Sequence, residues 1–169
     1  MKQGAGQVAH ILIVEDNPGD QRLIQEALRE TQLDHISAVA RDGMEALDYL
    51  FRRGPFATAP CPDLILLDLN LPKKNGRDVL ATIKADAHLL KIPVVVFSSS
   101  SAPQDVASAY QLHANGYVIK PTDLEELFLA IGWIAKFWLG TAALASLIAV
   151  DGDALSPIGG RHESGPYTA

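Results

Sequence analysis

The chain of 169 residues has a single cysteine, Cys61, lying between two prolines. An internal disulfide and a cysteine-built metal site are therefore excluded. Positive charge is also scarce. Lys and Arg number 14 against 20 Asp and Glu, a formal net charge of −6. Nucleic-acid surfaces carry the opposite balance, so no nucleic-acid partner is expected. No apolar signal-peptide core opens the chain, and a reducing cytoplasm is the expected compartment. Internal repeats are absent too.

What remains is globular. Apolar residues make up 48% and charged residues 20% of the sequence, enough for one domain with a sizeable core. Its most telling stretch runs from Asp63 to Pro72. Leu64, Ile65, Leu66 and Leu67 form an unbroken apolar run, the mark of a strand buried on both faces of a parallel sheet. The run ends abruptly in Asp68. A carboxylate there places the strand's carboxyl end at the point where it leaves the core, which is where open α/β sheets gather ligands and chemistry.

The same pattern recurs along the chain. Strands are expected at 10–14, 36–40, 63–68, 92–97 and 116–119. Helices are expected from Pro18 to about Thr31, after Asp42, after Gly76, from Pro103 to about His113, and from Thr122 or Asp123 to about Trp138. Residues 54–62, rich in Gly and Pro, read as an irregular connection. Five β-α units in succession imply a flavodoxin-like, doubly wound α/β fold: a five-stranded parallel sheet in the order 2-1-3-4-5, with helices on both faces. Residues 1–9 read as a flexible leader, because Gly4-Ala5-Gly6-Gln7-Val8-Ala9 precedes the first strand and so cannot serve as a dinucleotide loop.

Four strands of this sheet end in chemistry. The first delivers Glu15 and Asp16, the third Asp68, the fourth Ser98 and the fifth Lys120. Taken singly, each has a plainer reading: a helix cap, a turn aspartate, a solvated serine loop, a surface lysine. Together they lie along one sheet edge. Three carboxylates brought together repel unless a cation joins them. Oxygen donors without nearby His or Cys favour Mg2+, and with Lys120 the charge then balances. Asp68 is positioned as a covalent phosphoryl acceptor, with Lys120 and the Ser98 hydroxyl placed to receive the added negative charge.

Val14-Glu15-Asp16-Asn17, Leu67 to Pro72, Phe97-Ser98-Ser99-Ser100 and Tyr117-Val118-Ile119-Lys120-Pro121 resemble the motifs of response-regulator receiver domains of two-component signalling. The resemblance covers residues 10–138. It implies that Asp68 takes its phosphoryl group from a kinase histidine. It also implies that Glu15, Asp16, Asp68 and the backbone carbonyl of Asn70 hold the Mg2+. Ser98 would be the switch hydroxyl, Tyr117 an aromatic that turns inward on activation, and Lys120–Pro121 a cis bond. The 54–62 connection, the Asp68-to-Gly76 turn and Phe137-Trp138-Leu139 resemble a narrower group, the regulators that partner phytochrome histidine kinases. That group's polar residues before Phe-Trp-Leu are replaced here by Ala130, Ile131, Gly132 and Trp133.

The last helix is unusual. Leu124, Phe128, Ile131, Ala135 and Trp138 form its expected core stripe, with Leu127 and Ile134 at the edge. The opposite side carries Leu129, Trp133 and Phe137. A helix apolar all round is buried or paired, and exposed aromatics anchor interfaces. Leu129, Trp133, Phe137 and Trp138 are therefore the candidate homodimer contacts, with 139–150 as an apolar extension of the same interface. A membrane span there is disfavoured by Lys136, Gly132 and Gly140. Residues 151–169, rich in Gly, Pro and Ser, read as a disordered tail. No DNA-binding or enzymatic output segment is recognisable. The competing functions are an aspartyl-phosphate phosphatase-type enzyme and a purely dimerising adaptor. Against the first, Asn70 stands where such enzymes carry a second aspartate.

Overall fold

The computed structural model describes residues 8–142 and 144. Five strands and five helices alternate: β1 Ala9–Val14, α1 Pro18–Glu30, β2 His35–Ala40, α2 Gly43–Leu50, β3 Leu64–Leu67, α3 Gly76–Ala85, β4 Val94–Ser98, α4 Pro103–Gln111, β5 Gly116–Ile119 and α5 Leu124–Ala135. All strand pairs are parallel, in the order β2-β1-β3-β4-β5. The expected leader ends earlier than residue 9, because Ala9 already pairs with His35 in β1. The rest of the leader, most of the 139–150 extension and the 151–169 tail lie outside the described residues.

Side-chain alternation along the three central strands divides the core in two. Leu12, Val14, Ile65, Leu67, Val94 and Val96 face α2, α3 and α4. Ile11, Ile13, Leu64, Leu66, Val95 and Phe97 face α1 and α5. Every residue of β3 is buried, as its continuous apolar run demands. Four of the five helices start on side-chain caps. Asn17, Asp42, Asn75 and Asp123 each accept a hydrogen bond from the backbone N–H three residues on. Asp123, rather than Thr122, is thus the cap of α5.

α5 departs from expectation in two ways. Its buried side is Leu127, Ile131, Ile134 and Ala135, while Leu124 is exposed. The stripe is centred on Leu127, Ile131 and Ile134, because a 100° repeat sets the spacing of a helix face but not its phase against the sheet. Beyond Ala135 the helix continues as a π-turn from Lys136–Thr141, which carries Leu139 onto the core. Among the described residues no helix is long and apolar enough to cross a membrane.

Candidate functional site

Parallel pairing brings the strand ends to one edge. The Glu15 N–H donates to the Ala40 carbonyl and the Asp68 N–H to the Val14 carbonyl, each at 3.0 Å, so both backbones are still held by the ladder. Their carboxylates emerge side by side. Ligand oxygens of Glu15, Asp16 and Asp68 all lie within 4.8 Å of one another. Glu15 and Asp68 are buried and Asp16 is exposed, so the cluster is a recess with one open wall.

Lys120, just beyond β5, reaches across this recess. Its Nζ donates to Glu15 Oε2 at 2.5 Å, to Asp68 Oδ2 at 3.0 Å and to Asp20 Oδ2 at 3.0 Å. Three donors meet three carboxylates, which uses the full capacity of an ammonium. Burial pushes the Lys120 ammonium toward deprotonation, but its bonds to Glu15 and Asp68 outweigh this and raise its pKa above the usual value. For Glu15 the balance is reversed. Burial raises its pKa, and the bonds from Lys120 and the Asn17 N–H only partly oppose it.

Asp68 is fixed at both oxygens, because Oδ1 also accepts the Asn70 N–H at 3.1 Å. That bond folds the backbone of Asn70 back beside the cluster. Beneath it, α3 begins at Gly76, where a Cβ would run into the Asp68 carbonyl oxygen and Leu69 Cα. Only glycine allows this approach.

Ser98 closes β4 and is fully buried; its carbonyl accepts the Lys120 N–H at 2.8 Å, so β4 and β5 are zipped up to the site. Its Oγ accepts the Ser100 N–H at 3.3 Å. Tyr117 is half-buried and points inward, donating its hydroxyl to the Ser100 carbonyl at 2.8 Å. The peptide bonds of the described residues are all trans, Lys120–Pro121 included, contrary to expectation. Trans is the lower-energy X–Pro isomer, and Lys120 meets its three partners from it.

Sequence reading missed Asp20. In the first turn of α1, it accepts from Lys120 Nζ and so joins the cluster through that lysine as a fourth carboxylate. With Glu15, Asp16, Asp20 and Asp68 ionised, Lys120 neutralises only one charge. The donors are hard oxygens throughout, so the recess fits a divalent cation of the Mg2+ or Mn2+ type.

On α5, Leu129, Trp133 and Phe137 are exposed, as expected of contact residues, with Trp133 at 69%. Leu129 and Trp133 join Leu124 and Phe128 in an open groove of about 560 Å3 between α5 and the end of α1. Trp138 does not belong with them. It is half-buried against the core and stacked edge-to-face on Phe137 at 5.0 Å.

The family model of the response regulator receiver domain matches residues 11–132. The chain belongs to the response-regulator receiver family. The receiver is 47% identical to response regulator Rcp1 of Synechocystis sp. over 134 residues, 79% of this chain and 91% of that protein. The structure of the phosphorylated cyanobacterial phytochrome response regulator RcpA is similar at TM-score 0.80 and 51% identity, covering 82% of this receiver and 99% of that chain. The Mn2+-bound form of Rcp1 is similar at TM-score 0.77 and 46% identity, over 80% and 98%.

Proposed function

We propose that this receiver accepts a phosphoryl group on Asp68 from the phosphohistidine of a phytochrome-type histidine kinase, and signals by changing its protein partners. The observation that carries the reading is the Asp68 carboxylate itself: buried, held at both oxygens, and faced by Lys120 inside an acidic recess. In the transfer, an Asp68 oxygen forms the new O–P bond as the P–N bond to the imidazole breaks, and the electron pair leaves with the imidazole nitrogen. Mg2+, held by Glu15, Asp16, Asp68 and the Asn70 carbonyl, would supply positive charge for the transferring phosphoryl oxygens. Lys120 and the Ser98 hydroxyl then receive the charge left on the acyl phosphate.

The kinase type is supported by similarity to Rcp1 and to the phytochrome response regulator RcpA. A phosphatase-type enzyme would need a carboxyl group two residues after the nucleophile to move a proton. Asn70 offers none. The acidic composition supports a protein rather than a nucleic-acid partner, and the exposed Leu129, Trp133 and Phe137 support a homodimer through α5. A cytoplasmic location fits a kinase partner.

Incubation with a phytochrome histidine kinase, radiolabelled ATP and Mg2+ tests the reading. The expected mark is acid-stable and base-labile, changes between light and dark, and is absent from Asp68→Asn. Equal labelling of that variant would remove the site assignment.

A further inference from the structure

One residue of the β4–α4 loop has all its polar groups engaged. The Ser100 N–H donates to Ser98 Oγ at 3.3 Å, and its carbonyl accepts the Tyr117 hydroxyl at 2.8 Å. Its own hydroxyl donates to Asp105 Oδ2 at 2.5 Å and accepts the Ala102 N–H at 3.4 Å. Asp105 lies in the first turn of α4, and its other oxygen accepts from Arg77 Nη2. Arg77 lies in the first turn of α3, at the far end of the segment that leaves Asp68.

A plainer role would be to start α4, whose cap residue Ala102 has no side-chain oxygen. That role explains Ser100 and Asp105. It does not explain Arg77, which comes from another helix. The Arg77–Asp105–Ser100 chain links the segment after Asp68 to the segment after Ser98. Ser98 and Tyr117, the hydroxyl and the aromatic expected to respond to a phosphoryl group, are both bonded to the Ser100 backbone. The Asp105 carboxyl is held below its usual range, chiefly by the Ser100 hydroxyl and also by Arg77, so it is the charged acceptor this chain requires.

We infer that Arg77, Asp105 and Ser100 are positioning residues for phosphoryl acceptance: their tie holds the β4–α4 loop in place before the phosphoryl group arrives. This rests on the reading of Asp68 as phosphoacceptor. A loop that must first be found among alternatives lowers the competent fraction of molecules, and hence the rate. A tie that pre-sets the loop removes that factor without touching the donor.

The test uses the full chain, phosphoramidate as phosphodonor and Mg2+. Arg77→Ala and Asp105→Asn are each expected to lower the maximal rate of Asp68 phosphorylation about three- to tenfold, the effect of one hydrogen bond of ordinary strength. Half-saturation by phosphoramidate should not change. The double variant should be no slower than either single, since one tie is cut in each, and Arg77→Lys should restore part of the rate. Fluorotyrosine labelling adds a readout of position. The 19F signal of Tyr117, assigned with Tyr117→Phe, should move in Asp105→Asn while that of Tyr49 in the core stays in place. Variants that keep the wild-type rate, multiply their losses in the double, or move both tyrosine signals overturn the tie. Wild-type protein that takes up no phosphoryl group overturns the parent reading instead, and the positioning role with it.

Discussion

Replacing Lys120 by methionine keeps most of the stem's bulk and removes only the ammonium. The side chain of Lys120 is 9% exposed, that of Glu15 2% and that of Asp68 6%, so water compensates the two carboxylates poorly in its place. Removing one partner of a buried ion pair costs about 3–5 kcal/mol, because a charge is left without compensation. Asp20, 36% exposed, keeps its hydration and should add at most about 1 kcal/mol. Domains of this kind hold roughly 5–15 kcal/mol in all, so Lys120→Met should remain folded. The assay is urea unfolding near neutral pH in metal-free buffer, since a divalent cation could substitute for the ammonium. With an m-value of about 2 kcal/mol per M, the midpoint should fall by roughly 2 M at unchanged slope. Adding Glu15→Gln to Lys120→Met removes one of the two orphaned charges and should recover about 2 kcal/mol, seen as coupling in a double-mutant cycle. A loss below about 1 kcal/mol for Lys120→Met, or a strictly additive cycle, would refute the claim that this lysine compensates the buried Glu15 and Asp68 carboxylates.

Further outcomes follow from other parts of the molecule. Gly76→Ala should lower stability by about 1–3 kcal/mol and slow labelling of Asp68, because the new Cβ displaces the Asp68–Leu69 backbone it meets; an unchanged urea midpoint would contradict this. The Asp42 carboxyl is held below its usual range: burial acts against this, but the bonds from Lys73 and the Glu45 N–H outweigh it. Its contribution, under about 1 kcal/mol, is present above the unfolded pKa near 4 and is lost as pH falls through the lower folded value, so acid titration of Asp42→Asn should show a shallower loss of stability below pH ~4. Mg2+ at 100 times its dissociation constant should stabilise the protein by about 2.7 kcal/mol, Asp16→Asn should weaken this, and chelation should abolish labelling. Leu129→Asp with Trp133→Asp should convert a dimer to a monomer in light scattering; a wild-type monomer would remove the α5 interface.

The strands and the residues at their ends were legible in the sequence because a strand buried on both faces has no room for a charge. Glu15 and Asp68 each mark where a buried strand leaves the core, Lys120 follows the half-exposed edge strand β5, and parallel order brings all three to one edge. What could not be read was how helices turn relative to that edge. Asp20 joins the recess only because α1 starts at Pro18 with Asn17 as cap, which aims its first turn at Lys120. Leu124 is exposed although the expected stripe places it in the core, since a repeat of 100° per residue gives the spacing of a stripe but not its phase against the sheet, whereas Trp138 packs against the core as the stripe places it and not among the interface contacts. The tie through Ser100 was hidden for a related reason. Its members come from α3, the loop and α4, and no local pattern in one segment announces a partner in another.

Asp20 also changes the chemistry expected of the recess. Three carboxylates with Lys120 and a divalent cation would be neutral at rest. A fourth carboxylate leaves that state with one negative charge and makes the recess unfavourable for further negative charge unless cations are seated first. The same excess of negative charge strengthens binding of the cation. The arrangement therefore predicts an ordered dependence: cation first, phosphoryl group second. Asp20→Asn should weaken cation binding yet raise the rate of phosphoryl acceptance at saturating Mg2+, because the cation is then bound regardless and one opposing charge is gone. Isothermal titration with Mg2+ and labelling rates across a Mg2+ series measure the two effects separately. A variant slower than wild type at saturating Mg2+ would show instead that Asp20 is needed to hold Lys120 in place.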